Sequence, residues 1–304
     1  MIKLNSLNNE KEKVLNLIKK SITNKRLELE CIIKKDLNSN KNVDLTQFIN
    51  IIKRIKNKNK FTQQKTNNKL YILFPIDSKY HKIRVIINGQ GSISTYCNHE
   101  NINTILNNVV FEKKTMLNEN DKVSIPNYNL KFNLKEEKLL DKDSSIVREL
   151  IREWKDIPKI FRLKQHYSYQ TNDNQFNIDL SIVKSSAKKE QYLSVSEVMK
   201  QDLFHNVIKP REVKTSFSNW WYSISKNKNE KVLVNNVHTF SKSIEESRVF
   251  QNLPDYEVEV EYIGNKTIKP LETVKETKLK VESIFKIFLV ILVLYYNPFK
   301  IVFI

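Results

Sequence analysis

The chain has 304 residues, of which 40% are hydrophobic, and a formal net charge of +18. That length suffices for one large domain or two small ones. The positive charge favours a polyanionic partner such as nucleic acid or a polyphosphate, although AT-rich coding alone also fills a surface with lysine. The three glycines, Gly89, Gly91 and Gly264, cannot form a G-x-G-x-x-G or a G-x-x-x-x-G-K-[ST] motif. We therefore predict neither a Rossmann nor a P-loop nucleotide-binding site.

The two cysteines, Cys31 and Cys97, are too few for a disulfide scaffold and are typical of a reducing compartment. The N-terminal sequence MIKLNSLNNEKEK lacks the apolar stretch of a secretory signal. We therefore expect a protein that is not secreted.

The first predicted elements are a helix and a strand. Apolar residues at helical spacing predict a helix over 10–22, and strict alternation predicts a strand over 27–33. Because side chains alternate between the faces of a strand, Glu28 and Glu30 share one face and the apolar residues the other.

A second helix is predicted after Asp44, which is placed to cap it. Its expected apolar stripe is Leu45, Phe48, Ile49, Ile52 and Ile55. A polar loop is expected over 57–68. Short strands are predicted next, over 71–74, 82–88, 109–114 and 130–135.

The second half of the chain mixes helices and strands. Helices are predicted over 144–156, 194–208 and 241–250. Strands are predicted over 160–169, 175–184, 220–224, 231–237 and 256–263, the first two forming a hairpin around 171–174. Because strands dominate and their connections are too short for repeated βαβ units, we predict an antiparallel sheet or closed barrel decorated by helices.

The segment 284–304 is strongly apolar, but its uninterrupted run, 287–296, has ten residues. A helix that spans a bilayer needs about 20. We expect a helix that packs on this domain or on a following one, with a membrane anchor or a truncated end as the alternatives.

Three glutamates, Glu257, Glu259 and Glu261, alternate with valines in the sequence YEVEVEY. Same-face neighbours on a strand lie about 6.7 Å apart, and two carboxylates at that distance repel by roughly 2.5 kcal/mol at an effective dielectric near 20. On a wet face this repulsion matters little, whereas inside a barrel it requires cations. If this strand neighbours Glu28 and Glu30, the five carboxylates form a cluster suited to Mg²⁺ or Mn²⁺.

Basic residues occupy alternate positions on the strands between the two acidic ones. The sets are Lys82 with Arg84, Lys113 with Thr115, Lys131 with Asn133 and Lys135, and Arg162 with Lys164 and His166. Each set alone is an ordinary solvated face. Together with a metal cluster they could line a site for a triphosphate, since Arg grips phosphate oxygens bidentately and Lys supplies point charge.

The pattern resembles the triphosphate tunnel metalloenzymes, specifically the RNA triphosphatase of fungal and large-DNA-virus mRNA capping enzymes. The matching segments are ELE at 28–30, KIRV at 82–85, FEKK at 111–114, LKFNLKEE at 130–137, FRLKQHYSY at 161–169, FNIDLSIVK at 176–184 and YEVEVEY at 256–262. They follow the family's order over about residues 25–263. The resemblance implies an α+β fold, mainly antiparallel β, in which an eight-stranded β tunnel is decorated by helices.

The resemblance also implies roles by position. The metal ligands, for Mg²⁺ or Mn²⁺, would be Glu28, Glu30, Glu259 and Glu261. The catalytic carboxylates would be Glu257 and Glu259 on the acidic floor, and Glu136 or Glu137 beside the attacking water. Phosphate contacts would come from Arg84, Lys113 or Lys114, Lys131, Lys135, Arg162, Lys164, His166 and Lys184. Asp179 would orient a basic neighbour.

Three departures from the family sharpen this expectation. The family often has an arginine where this chain has His166. Ile32 replaces the lysine of the E-x-E-x-K signature, which favours the capping branch over the cyclase and thiamine-triphosphatase branch. No glycine follows an aspartate, so a K-x-D-G guanylyltransferase motif is absent, and we expect the chain to end where the next capping domain begins in many viral enzymes.

The resulting prediction is a polynucleotide 5′-triphosphatase that removes the γ-phosphate of triphosphate-ended RNA, the first step of mRNA capping. The predicted domains are a helical segment 1–24, the tunnel domain 25–264, and a linker with an apolar tail 265–304. Expected partners are triphosphate-ended RNA and separate guanylyltransferase or methyltransferase subunits or domains. The expected location is the cytoplasm, or the host cytoplasm or virion if the gene is viral.

Two alternatives remain open: a tunnel hydrolase of inorganic triphosphate, polyphosphate or nucleoside triphosphates, and a non-catalytic RNA-binding capping subunit. Cys97 with His99 is too small a set for a metal site. Trp220, Trp221 and Tyr222 favour core packing over base stacking.

Overall fold

The computed structural model describes residues 4–24, 26–37, 40–58, 60–64, 66–116, 121–264 and 281–285. The α-helices are α1 (Leu4–Thr23), α2 (Leu45–Lys56), α3 (Gln90–His99), α4 (Ser145–Arg152), α5 (Val195–Lys200) and α6 (Phe217–Ile224). The strands are β1 (Leu27–Asp36), β2 (Lys41–Asn42), β3 (Phe61–Gln63), β4 (Asn67–Leu73), β5 (Ile83–Asn88), β6 (Val109–Met116), β7 (Lys122–Ile125), β8 (Leu130–Leu140), β9 (Ile160–Thr171), β10 (Phe176–Ser185), β11 (Lys188–Ser194), β12 (Lys231–His238) and β13 (Asp255–Tyr262).

Eight of these strands close into a barrel. Their order around the ring is β1, β13, β10, β9, β4, β5, β6 and β8, and β8 pairs again with β1. Every pairing in the ring is antiparallel. The prediction of an α+β fold built on a closed, eight-stranded antiparallel barrel is confirmed.

The hydrophobic core lies outside this barrel. On β1, Leu29 and Cys31 are fully buried in a core shared with α1, α2 and the helical residues 281–285. On the opposite wall, Leu70 and Ile72 are buried in a second core shared with α3 and α4. Since successive side chains point to opposite faces, the polar partners of these residues must face the barrel interior.

Helix α2 begins as predicted. The Asp44 carboxylate accepts a hydrogen bond from the backbone N–H of Gln47, whose side chain bonds back to Asp44, which forms a capping box. The expected apolar stripe was partly wrong: Leu45 and Ile49 are 49% and 39% exposed. The buried side of the helix is rotated, and its core residues are Phe48, Ile51 and Ile55.

A small unit with its own core lies between β10 and β13. The antiparallel pair of β11 and β12 packs with α5 and α6 around Val198, Trp220 and Val234. The strand predicted over 220–224 is wrong, because α6 occupies these residues. The Ser216 hydroxyl accepts from the N–H of Asn219 and caps that helix.

Two further predicted helices are wrong in extent or type. The helix expected over 194–208 stops at Lys200, because Asp202 takes a left-handed conformation with φ of 57°. Residues 241–250 form turns, starting where Ser241 pairs with Lys159 in an antiparallel bridge.

Several elements had no counterpart in the predictions, namely β2, β3, α3, β7 and β11. Because β3 and the start of β4 lie within 57–68, that segment is not only a loop. Of the apolar tail, only residues 284 and 285 are described, and both are buried in the core beside β1. The run 287–296 lies outside the described residues. Within the described chain, no helix is long and apolar enough to span a bilayer.

Candidate active site: a charged tunnel

The barrel encloses a cavity of about 240 Å³. Its lining is dominated by charged and polar side chains, namely Glu28, Glu30, Lys69, Tyr71, Arg84, Glu112, Lys114, Glu137, Lys164, His166, Asp179, Ser181, Glu259 and Glu261, together with Ile86. Each charged residue alternates along its strand with a residue that packs outward, so the strand period alone brings them together.

The two acidic strands are neighbours. In the pairing of β1 with β13, Glu30 lies directly opposite Glu261, and on the other side of β13, Glu259 lies opposite Asp179. Directly opposed residues have Cβ atoms about 4.5–5.5 Å apart. Carboxylates from strands that are far apart in the sequence therefore meet on one side of the tunnel.

Cations on β5 and β6 bind two glutamates, Glu112 on β6 and Glu137 on β8. The Arg84 guanidinium donates from Nε to Glu112 Oε2 at 2.8 Å and from Nη2 to Glu137 Oε1 at 3.3 Å. Lys114 donates to the same Glu137 carboxylate. Burial opposes the charge of Glu137, but the hydrogen bond with Glu112 and the charges of Lys114 and Arg84 hold its pKa at about 2.

Glu30 is bound by side chains of β8. It accepts hydrogen bonds from Lys135 and, at 3.1 Å, from Asn133 Nδ2, while Lys114 Nζ lies 4.0 Å away. Burial would raise the pKa of Glu30, but the charges of Lys135 and Lys114 keep it below its ordinary value. Glu30 is therefore a carboxylate at neutral pH, with a lysine as its present partner.

Cations on β9 bind a glutamate on β13 in a similar way. Arg162 and Lys164 both contact the Glu257 carboxylate, the lysine at 2.9 Å. Their charges overcome the effect of burial and hold the pKa of Glu257 at about 2. Farther along β9, His166 Nε2 lies 2.9 Å from Asp179 Oδ1. Asp179 thus contacts a basic neighbour, as the orienting role predicts, although the role itself stays a prediction.

Two carboxyl groups, Glu28 and Glu259, have too little positive charge beside them to offset their burial. Burial, together with the negative charges of Glu137 and Glu261, raises the pKa of Glu28 to about 8. Burial also raises the pKa of Glu259, with Glu30 and Glu257 adding repulsion that Lys164 and Lys135 only partly offset. Both groups therefore favour the protonated form in the absence of a further cation, and a cation bound beside them would favour their ionised form.

The donor set fits a hard divalent cation in its chemistry. All the candidate ligands present oxygen, and Asn133 Oδ1, buried beside Glu30, has no hydrogen-bond partner within the described chain. The present geometry does not close around an ion: across the described ranges, no three His, Cys, Asp or Glu side chains converge as a metal site. Both contacts of Glu30 with β8 use Oε1, so Oε2, which lies 4.0 Å from Lys114 Nζ, is the oxygen that could bind an ion.

Three predicted site residues are not brought into the tunnel. Lys113 is exposed on the outer face of β6, on the same side as the buried Phe111. Glu136 shares the outer face of β8 with Leu134. Lys184 lies on the outer face of β10, where its amino group donates to the carbonyl of Phe250 at 2.8 Å.

Lys131 lies on the inner face of β8, opposite Ile32, but its amino group contacts Asp202 of the small unit. The other predicted residues lie in or beside the cavity. These are Glu28, Glu30, Arg84, Lys114, Lys135, Glu137, Arg162, Lys164, His166, Asp179, Glu257, Glu259 and Glu261.

Four polar or charged cavity residues were not predicted, namely Lys69, Tyr71, Glu112 and Ser181, and neither was the apolar Ile86. Strand alternation provided a usable signal for all four polar residues. Lys69 and Tyr71 alternate with the apolar Leu70 and Ile72, and Glu112 stands two residues before Lys114. Ser181 stands two residues after Asp179 and alternates with the buried Leu180.

Comparisons with known proteins reach no relative close enough to assign a family or an activity. No protein-family model matches the chain, and no curated protein is similar to it in sequence. Among solved structures, the S. pombe Pct1 RNA triphosphatase is similar with a TM-score of 0.47 and 14% identity, over 98% of this chain and 99% of that one. The same protein in complex with the Spt5 CTD gives a TM-score of 0.44 and 13% identity, over 98% and 100%.

Proposed function

We propose that this chain is a metal-dependent polynucleotide 5′-triphosphatase, which hydrolyses the γ-phosphate of triphosphate-ended RNA. The observation that carries the proposal is the composition of the cavity inside the barrel. Carboxylates on β1 and β13 face lysines and arginines on β5, β6, β8 and β9. A polyphosphate needs the cations, and a divalent ion needs the carboxylates.

Phosphate binding would proceed by exchange of partners. Arg84, Lys114, Arg162 and Lys164 are already held toward the cavity by Glu112, Glu137 and Glu257. Phosphate oxygens can replace these carboxylates, with Arg binding two oxygens at once and Lys acting as a point charge. The cations then stabilise the charge that spreads over the equatorial oxygens during phosphoryl transfer.

Residues Glu28, Glu30, Glu259 and Glu261 would hold the divalent ion. When bound, Mg²⁺ or Mn²⁺ would withdraw charge from the phosphate and orient it for in-line attack. Glu137, with its pKa near 2, is ionised at neutral pH and accepts hydrogen bonds. It would orient the attacking water, which releases inorganic phosphate and leaves diphosphate-ended RNA. Because a carboxylate of such low pKa is a poor base, orientation is its expected contribution.

A tunnel hydrolase for inorganic triphosphate is the second candidate, and the cavity volume favours it equally, because about 240 Å³ accommodates the triphosphate group itself. The difference lies outside the cavity. The chain's net charge of +18 would attract an RNA body, so triphosphate-ended RNA should be preferred over tripolyphosphate when the two compete.

The test measures release of labelled γ-phosphate from a triphosphate-ended RNA with Mg²⁺ or Mn²⁺. Glu259→Gln, which removes a cavity carboxylate, should reduce the rate by about 1,000-fold. Glu136→Gln on the outer face of β8 is the matched control and should leave the rate within about twofold. Unchanged release by Glu259→Gln would sink the assignment.

Two outcomes would favour the alternatives. Preference for tripolyphosphate over RNA would replace the RNA reaction with the small-polyphosphate one. Salt-dependent RNA binding without any metal-dependent phosphate release would indicate a non-catalytic RNA-binding subunit. A role in capping further implies cooperation with a guanylyltransferase, which co-purification with the native enzyme complex would detect.

A further inference from the structure

Among the described residues that line the cavity, Tyr71 is the one with a six-membered aromatic ring. It lies on the inner face of β4, while its neighbours Leu70 and Ile72 point outward and are fully buried in the core beside α3 and α4. The core is therefore complete on this strand without the tyrosine. A large, half-buried aromatic side chain inside a charged tunnel needs another explanation.

Two of the tunnel's cations lie against this ring. The Arg84 guanidinium carbon is 5.2 Å from the ring centroid, and the Lys164 amino nitrogen is 5.5 Å from it. Both distances fall within the roughly 6 Å range of cation–π attraction. The register explains the contacts: β4 lies between β5 and β9, and Arg84 and Lys164 occupy the diagonal positions on either side of Tyr71.

A ring differs from a carboxylate as a partner for these cations. Glu112 and Glu257 neutralise Arg84 and Lys164 and must give way when a phosphate binds, because both compete for the same donors. An aromatic face attracts a cation without carrying net charge. It can therefore keep both cations in place while leaving their full charge and their hydrogen-bond donors to the phosphate.

We propose that Tyr71 is a positioning residue that holds Arg84 and Lys164 on two sides of a bound phosphate through its ring, not its hydroxyl group. The proposal deepens the function proposed above and rests on it for the identity of the substrate. It concerns phosphate binding, however, and can be measured without turnover.

The test compares the affinity for tripolyphosphate, measured by calorimetry, of wild type, Tyr71→Phe and Tyr71→Leu. The phenylalanine variant should bind within about twofold of wild type, whereas the leucine variant should bind about tenfold more weakly, equivalent to ~1.4 kcal/mol. Tyr192→Leu, the same substitution at a 69% exposed position of β11, is the matched control and should bind like wild type. Equal losses in the phenylalanine and leucine variants would assign the effect to the hydroxyl group and overturn the proposal, as would an unaffected leucine variant.

A second series keeps the proposal testable if Tyr71→Leu does not fold. Phenylalanines carrying one to three fluorines at position 71 retain the ring's shape but weaken its negative face. Affinity for tripolyphosphate should fall stepwise with fluorine number, and a flat series would overturn the proposal. If the wild type binds tripolyphosphate but releases no phosphate from RNA, the proposed reaction fails while the binding series still decides the role of Tyr71. Absence of any tripolyphosphate binding would overturn both.

Discussion

The inner and outer faces of the barrel wall are made by alternate residues of the same strands, yet they obey opposite rules. On β8, Phe132 and Leu134 point outward and are fully buried, whereas Lys135 and Glu137 point into the tunnel and are paired with charges from other strands. The outer face stabilises the fold by removing apolar surface from water. The inner face buries charged side chains instead of apolar ones, so it contributes less to stability but holds several like charges close together in one site. Substitutions on one face should therefore leave the role of the other face intact.

The largest effect is expected on the outer face. Phe132→Ala removes a fully buried ring from the core beside β1 and should lower the free energy of unfolding by about 3–5 kcal/mol, because the lost transfer energy and the cavity add. Urea denaturation measures this change. Leu139→Ala on the same strand, where the side chain is 71% exposed, should change it by less than about 0.5 kcal/mol. Similar losses in both variants would contradict the assignment of the core to the outside of the barrel.

The next effect separates two adjacent lysines on β6. Lys114→Met removes the cation that contacts Glu137 and lies 4.0 Å from Glu30, and it should lower kcat/KM for phosphate release about 100-fold. Lys113→Met removes a charge from the exposed outer face and should leave kcat/KM within about twofold. Steady-state kinetics at fixed metal concentration decides between them. A larger loss in the Lys113 variant would place the phosphate on the other side of the strand.

The smallest effect concerns pH and the junction between the barrel and the small unit. His238 ends β12 and its ring Nδ1 lies 3.1 Å from the carbonyl oxygen of Ser186. Burial, aided by Lys188 and Arg162, lowers its pKa from 6.5 to about 4. The unfolded chain therefore takes up the proton first, so the stabilisation is fully present above pH 6.5 and is lost as the pH falls toward 4.

Between pH 7.5 and pH 4.5 this group should cost about 2 kcal/mol of unfolding free energy. The measurement is urea denaturation at both pH values for wild type and His238→Asn. The variant should lose about 2 kcal/mol less than wild type over that interval. Identical pH dependence in the two proteins would show that the histidine does not titrate in this window.

Much of the barrel was predictable because strand alternation is local. Of the barrel strands, β1, β5, β6, β8, β9, β10 and β13 were predicted, and β4 was predicted in part. The alternation within these strands places the charged residues on one face. The same rule decides between the alternatives that the family motifs left open, namely Lys113 or Lys114 and Glu136 or Glu137. Lys113 has the parity of Phe111, and Glu136 has the parity of Phe132, so both belong to the core side.

Other features were not predictable from local pattern. The segment 217–224 has strand-forming aromatics, yet it is helical because Ser216 caps it and Trp220 packs against the small unit's core. Tertiary packing overrides propensity here. The rotated stripe of α2 has the same origin, since the barrel surface determines which side of that helix is buried.

The sequence by itself determined which residues share a face, because the period of a strand is a property of the backbone. Only the tertiary structure decided that the charged face is the inner one. Closing the ring brings Glu30 opposite Glu261 and within reach of Lys135, and it brings Asp202 of the small unit to Lys131. These contacts join residues far apart in the chain, and no local periodicity encodes such a distance. The physical reason is that a closed barrel has one interior, which every inward-facing charge must share.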